Sequence, residues 1–276
     1  MWPEGLRSER GFMATTAGLT EAVLYDTLVN YLVSMARTVE GAMNRALEAI
    51  VSLESPRTAT FPGEVFLLEP RINEMEIVID EYAIRLLRGG SFTDDEMRLI
   101  VAALKINNDL ERIGDLAVNL AERVVSLREV QDAQIPEELA PMATAVRSMV
   151  SKSLGALIFR NVDMAMQVLE SDDIVDQYRD RIFERLLRHM TEEPALVSPG
   201  LQFVLATRHL ERIADHATNI AEDIIYWVRG LDVRHGRGFS LRPEKSEPSS
   251  VENPVITQNS HVLHSGVTPR CETERA

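Results

Sequence analysis

The chain has 276 residues, of which 45% are hydrophobic and 26% charged. That is enough for one large domain or two of ordinary size, in the balance of a globular protein. Its formal net charge of −14 argues against a duplex nucleic acid partner, because no Lys/Arg run interleaved with aromatics offsets the repulsion. Aromatics make up only 5%, so helices packed by aliphatic side chains are favoured over a β-sandwich. The one cysteine, Cys271, allows no internal disulfide and points to a reducing, cytoplasmic compartment. No stretch approaches the roughly 18 apolar residues that span a bilayer.

The start, Met1 to Gly11, carries Arg7 and Arg10 but no apolar core, so it is not a secretory signal. Met13 is a second possible start. Residues 1–18 read as a mobile segment. Residues 19–130 then read as a three-helix bundle. Met35, Val39 and Leu47 lie on its first helix. A long connection follows near Ser52 to Pro70, with Pro56, Pro62, Gly63 and Pro70 as breakers. The second helix shows Ile72, Met75, Ile79, Tyr82 and Leu86 at helical spacing. Gly89-Gly90 end it, and Ser91 to Glu96 connect. The third helix alternates by four and three through Ile106, Leu110, Ile113, Ala117, Leu120 and Val124, an apolar seam for packing on antiparallel neighbours.

A joint near Gln131 to Pro136 leads to a second bundle over residues 136–232. Met142, Val146 and Leu154 repeat the first helix at an offset of 107. Val175, Tyr178, Ile182 and Leu186 form the second-helix seam. Pro194 to Ser198 connect, and Pro199-Gly200 mark a break. Ala206, Leu210, Ile213, Ala217, Ile220 and Ile224 repeat the third seam. The segment 236–276 is rich in Ser, Pro and Gly, balances five basic against five acidic residues, and reads as a disordered tail.

The duplication is plainest in the third helices. Leu110-Glu111-Arg112-Ile113-Gly114-Asp115-Leu116-Ala117-Val118-Asn119-Leu120-Ala121-Glu122 and the thirteen residues from Leu210 to Glu222 match at nine positions, offset by 100. The fold class is therefore all-α, with two tandem three-helix bundles related by internal duplication.

Each copy carries two carboxylate pairs at i, i+4. They are Glu76 with Asp80 and Glu111 with Asp115, then Asp176 with Asp180 and Glu211 with Asp215. This spacing puts both carboxylates on one helix face and destabilises the helix by a few tenths of a kcal/mol. Two such pairs facing each other across a helix contact repel further. A cation removes the penalty, and oxygen-only ligation suits Mg, Ca, Mn or Fe, less specifically Zn. The alternative is a structural ion-pair network, for which Arg112 and Arg212 stand in place. His189, His209, His216 and His235 lack counterparts and read as surface residues. No Glu-x-x-His occurs, against a ferritin-like di-iron oxidase, and no Walker A, Gly-x-Gly-x-x-Gly or Gly-x-Ser-x-Gly motif is present.

At Leu110–Asp115 and Leu210–Asp215, followed by Asn119-Leu120-Ala121-Glu122 and Asn219-Ile220-Ala221-Glu222, the sequence resembles the PhoU family of phosphate-signalling regulators. The resemblance implies two three-helix bundles packed side by side. It implies metal clusters on Glu76, Asp80, Glu111 and Asp115 and on Asp176, Asp180, Glu211 and Asp215, holding Fe, Mn, Mg or Zn. It also implies a non-enzymatic adaptor, peripheral to the membrane, that represses the phosphate regulon between a phosphate ABC transporter ATPase and a sensor histidine kinase, and a homodimer. Leu116 opposite His216, and the tail after Gly236, depart from the family pattern. A metal-dependent hydrolase or oxygen-activating enzyme is the alternative reading.

Overall fold

A computed structural model of the chain describes residues 21–89, 92–130, 133–234 and 239–240. The mobile segment expected over 1–18, Cys271 and nearly all of the 236–276 tail lie outside the described residues. Seven α-helices occur among the described residues: α1 (Glu21–Val51), α2 (Phe61–Arg88), α3 (Asp94–Arg128), α4 (Leu139–Phe159), α5 (Val162–Leu169), α6 (Asp172–Glu192) and α7 (Val197–Arg229). Short 3-10 turns at Pro56–Thr58 and Pro194–Leu196 precede α2 and α7. A two-residue antiparallel ladder pairs β1 (Leu231–Asp232) with β2 (Phe239–Ser240), which sits inside the segment read as a tail.

Every position assigned to the third-helix seams is buried, from Ile106 to Val124 and from Ala206 to Ile224. Ile72, Met75, Ile79 and Leu86 are buried on α2, as are Val175, Ile182 and Leu186 on α6, while Tyr82 and Tyr178 are half-buried against the core. Met35, Val39 and Leu47 on α1 pair in role with Met142, Val146 and Leu154 on α4, all buried. α3 packs most extensively on α7, and α1 also touches α4, so each bundle contributes its third and first helices to the contact between them. α2 packs on α1 and α3, and α6 on α7 and α4.

Two expected breaks are absent. The connection read over Ser52 to Pro70 closes by Thr60, and α2 begins at Phe61. Pro62 sits in the first turn, where its missing N–H leaves no bond unmade. Pro70 lies inside α2 on its exposed side. Pro199 and Gly200 likewise fall in the first turn of α7, where a proline is tolerated. The connection read over Ser91 to Glu96 ends earlier than expected. Thr93 caps α3 and forms a reciprocal pair with Glu96, the capping-box pattern.

In the second copy the stretch corresponding to the start of α2 is a separate helix, α5. Arg160 ends α4 in the left-handed conformation, φ 51°. Asn161 then caps α5, its side chain accepting from the Met164 N–H at 3.0 Å. The first copy instead runs α1 into a loop that Arg128 pins from the end of α3. Its guanidinium donates to the carbonyls of Leu53 (3.0 Å), Ala59 (3.1 Å) and Thr58 (2.9 Å). Replacing Arg128 by Met leaves these carbonyls without their charged donor. We expect a loss of about 2 kcal/mol in urea unfolding; an unchanged midpoint would show that the loop holds without it.

Candidate functional site

The four carboxylates of the first copy gather between α2 and α3. Antiparallel packing sets this register, since Ile72 meets Gly114 and Asn107 meets Asp80. Asn107, itself buried, donates through Nδ2 to Asp80 Oδ1 at 2.9 Å and to the Glu76 carbonyl at 3.0 Å. Burial pushes the Glu76 carboxyl up, and Asp80 and Asp115 add to it against the opposing Arg112. Burial also raises Glu111, with Asp115 next. Arg112 reaches these groups only loosely, at 3.4 Å from Glu111 and 3.7 Å from Asp115. The nearer contact lacks hydrogen-bond geometry, so Glu111 Oε2 is buried without a hydrogen-bond donor among the described residues.

The second cluster is built differently. Arg179 stands among its carboxylates, with Nη1 2.6 Å from Asp176 and 2.9 Å from Glu211 and Nε 3.0 Å from Asp180. The guanidinium fork thus supplies the positive charge that the acidic faces require. A fifth carboxylate, Asp172, joins this cluster. Burial raises its pKa, with Asp176, Asp173 and Glu211 adding to the shift. Asp215 is pushed up to about 6 by burial and then by Glu211, Asp172 and Asp176, although the residue keeps contact with solvent. Asp172 extends Asp176 and Asp180 into a ladder at i, i+4, i+8, a signal readable in the sequence but hidden by comparing the copies, because its counterpart is Ile72.

The eight predicted residues therefore fall into two groups of four, one per bundle. Among the described residues, no three His, Cys, Asp or Glu side chains stand as a ready ligand set. The first group nonetheless suits a hard cation: all oxygen, crowded by like charge, with a buried Glu111 oxygen that receives no hydrogen bond among the described residues. In the second group Arg179 occupies the place of the counter-charge, so a metal there has to displace a guanidinium.

The PhoU domain matches this chain twice, over residues 32–124 and 139–224. The chain belongs to the PhoU family. A phosphate-specific transport system accessory protein PhoU homolog of Pseudomonas aeruginosa is 36% identical over 209 residues, covering 75% of this chain and 84% of that protein. The Clostridium acetobutylicum homolog is 37% identical over 163 residues, covering 59% and 74%. The crystal structure of PhoU from Pseudomonas aeruginosa superposes with a TM-score of 0.72 at 33% identity, over 77% of this chain and all of that one. The phosphate transport system regulatory protein PhoU from Streptococcus pneumoniae shares the fold, with a TM-score of 0.69 at 23% identity over 77% of this chain and 98% of that one. No described helix of this PhoU-family chain is long and apolar enough to cross a membrane.

Both third helices of the PhoU repeats also meet directly, and there the histidine reading is corrected. His216 is not a free surface residue. Its Nδ1 lies 2.7 Å from Asp109 Oδ1, and Asn219 donates to the same oxygen at 3.3 Å. Lys105 donates to Asp223 at 2.8 Å beside them. Asp109 and Asp223 are 7% and 6% exposed, so these pairs lock polar groups inside the contact between bundles. Lys105, Asp109, Asn219 and Asp223 line a cleft of about 460 Å³ together with Leu104, Asn108, Glu222 and Arg234. His209, the other reassigned histidine, is half-buried.

The raised carboxyl of Asp215 has a stability consequence with a definite sign. The folded state holds its proton more tightly than the unfolded chain does, whose Asp titrates near 3.9. The native state is favoured below about pH 4, and that advantage is lost as pH rises through about 6. In EDTA, Asp215→Asn should therefore stabilise the protein at pH 8 and change little at pH 4, by urea midpoints. Equal effects at both pH values would remove the assigned cause.

Proposed function

We propose that this chain is a non-enzymatic regulator of phosphate uptake and phosphate signalling. In this reading it represses the phosphate regulon by linking a phosphate ABC transporter ATPase to a sensor histidine kinase. It acts from the cytoplasmic side, peripheral to the membrane, as a homodimer. Family membership supports the phosphate role, since relatives carry the name of phosphate-specific transport accessory proteins. The placement of two carboxylate clusters, one in each bundle, beside a core closed by aliphatic side chains supports a metal-binding role within that reading.

The same reading takes Glu76, Asp80, Glu111 and Asp115 as holding one divalent or trivalent ion, Fe, Mn, Mg or Zn. Asp176, Asp180, Glu211 and Asp215 take a second once Arg179 swings aside. Bound cations offset the burial and, after it, the like-charge repulsion that raise Glu76, Glu111 and Asp215. The second site is expected to be the weaker, because the ion competes with a charge-assisted pair already in place.

Two measurements test this. Deletion of the gene should leave phosphate-uptake genes expressed in high phosphate; normal repression in the deletion strain would sink the regulatory role. For the metal, Mn²⁺ at about 100 times its Kd should raise Tm by roughly 5–10 °C at pH 7.5. Glu111→Gln with Asp115→Asn should remove most of that rise. An equal rise in the double variant would mean that other groups hold the ion.

A further inference from the structure

Antiparallel packing of α3 on α7 puts equivalent positions of the two repeats at opposite ends of one seam. Lys105 meets Asp223 at one end, and Arg123 meets Gln202 at the other. At the first end each base has an acid: Lys105 with Asp223, His216 with Asp109. The offset of 100 maps Asp223 onto Arg123 and Asp109 onto His209. Both acids of the first end are therefore bases at the second.

Arg208 and Arg212 flank His209 on the same helix. Their guanidinium groups and that of Arg123 all act on its imidazole, and Glu122 opposes them. Arg123 pairs with Glu122 at 3.1 Å and donates to Gln202 at 3.1 Å. Arg208 and Arg212 are exposed and have no ion-pair partner among the described residues. Two nitrogen atoms of this end, Arg123 Nε and His209 Nδ1, are buried without a hydrogen-bond partner among the described residues. Arg123 Nε always carries a proton and His209 Nδ1 does so in its Nδ1–H tautomer; a buried N–H left unmatched is costly and calls for an acceptor. In a chain of net charge −14, two guanidinium ions without an ion pair among the described residues, Arg208 and Arg212, beside a third that Glu122 pairs, run against the general balance. Guanidinium forks fit the oxygen edges of phosphoryl groups, with two parallel bonds each.

We propose that the face formed by Arg123, Arg208, His209 and Arg212 binds a tetrahedral dianionic oxyanion, as free inorganic phosphate or as a phosphoryl group carried by a partner. Arg208 and Arg212 supply the outer forks, and Arg123 and His209 supply the inner donors. The inference uses none of the eight candidate ligands, although Arg208 lines a cleft together with Asp180 and Glu211.

Isothermal titration calorimetry of the full chain with inorganic phosphate, and separately with O-phosphoserine, tests it. Saturable binding is expected for at least one. Tighter binding of O-phosphoserine supports a phosphoryl group on a partner, and tighter binding of inorganic phosphate supports the free ion. Arg208→Gln with Arg212→Gln, both exposed, should weaken affinity at least about tenfold, or ~1.4 kcal/mol. Arg57→Gln with Arg147→Gln, which changes net charge equally, should leave it unchanged. The His209 imidazole resonances should shift as ligand is added. Saturable heat for neither anion would overturn the site, as would an equal loss in the control variant. Binding that disappears on adding EDTA would assign the anion to a metal and overturn it too.

Discussion

The fold turns on one contact, the apolar seam where α3 lies antiparallel against its own duplicate, α7. Leu110, Ile113, Ala117 and Leu120 face Leu210, Ile213, Ala217 and Ile220 across that region, all of them fully buried. Truncating any of the larger ones to Ala removes contacts that a close-packed core cannot restore, at about 2–5 kcal/mol each. Because α3 also packs on α1 and α2, and α7 on α4, α5 and α6, the seam sets the register of the other helices. A duplicated helix solves this packing problem economically: one sequence pattern serves both sides.

That register explains where the carboxylates stand. Residues on one side of the seam positions, Glu111 and Asp115 in α3 and Glu211 and Asp215 in α7, turn toward α2 and α6. The second helices bring their own acidic pairs to meet them. Burying and crowding carboxylates at a helix contact opposes folding, and the raised pKa values of Glu76, Glu111 and Asp215 record both, burial first. The apolar seam behind them absorbs the cost, so an unfavourable polar arrangement persists on a scaffold that does not depend on it.

Periodicity alone located the seams, because burial follows the 3.6-residue repeat and aliphatic side chains mark it without ambiguity. Pro62, Pro70 and Pro199 misled for the opposite reason. Pro62 and Pro199 lie in first turns, where no helical bond is lost, and Pro70 lies inside α2 on its exposed side, where the carbonyl it leaves unpaired, that of Phe66, can turn to water. The eight carboxylates were legible from spacing and duplication together. Asp172, Arg179, Asp109 and His216 were not, since each lacks a like residue in the other copy. Comparing repeats finds what they share and conceals what either one acquired alone.

Those acquired residues make the two clusters chemically distinct. In the first copy Ile72 fills the space beside Gly114, its Cδ1 3.1 Å from where a Cβ would lie, and Asn107 holds Asp80. In the second copy Asp172 replaces Ile72, Ala214 replaces Gly114 and Thr207 replaces Asn107. Removing Ile72 frees the room that Ala214 takes, so the one small-residue difference inside the shared motif follows from packing. Losing Asn107 leaves Asp180 without an amide donor, and Arg179 takes that role while also answering Asp176 and Glu211. Thr207 turns inward instead, donating to the Phe203 carbonyl at 2.8 Å. One cluster is thus organised by a neutral amide, with Arg112 no nearer than 3.4 Å and one carboxylate oxygen without a hydrogen bond among the described residues, while Arg179 stands hydrogen-bonded inside the other. The duplication preserved the acidic frame, and a few neighbouring substitutions decided how each copy neutralises it.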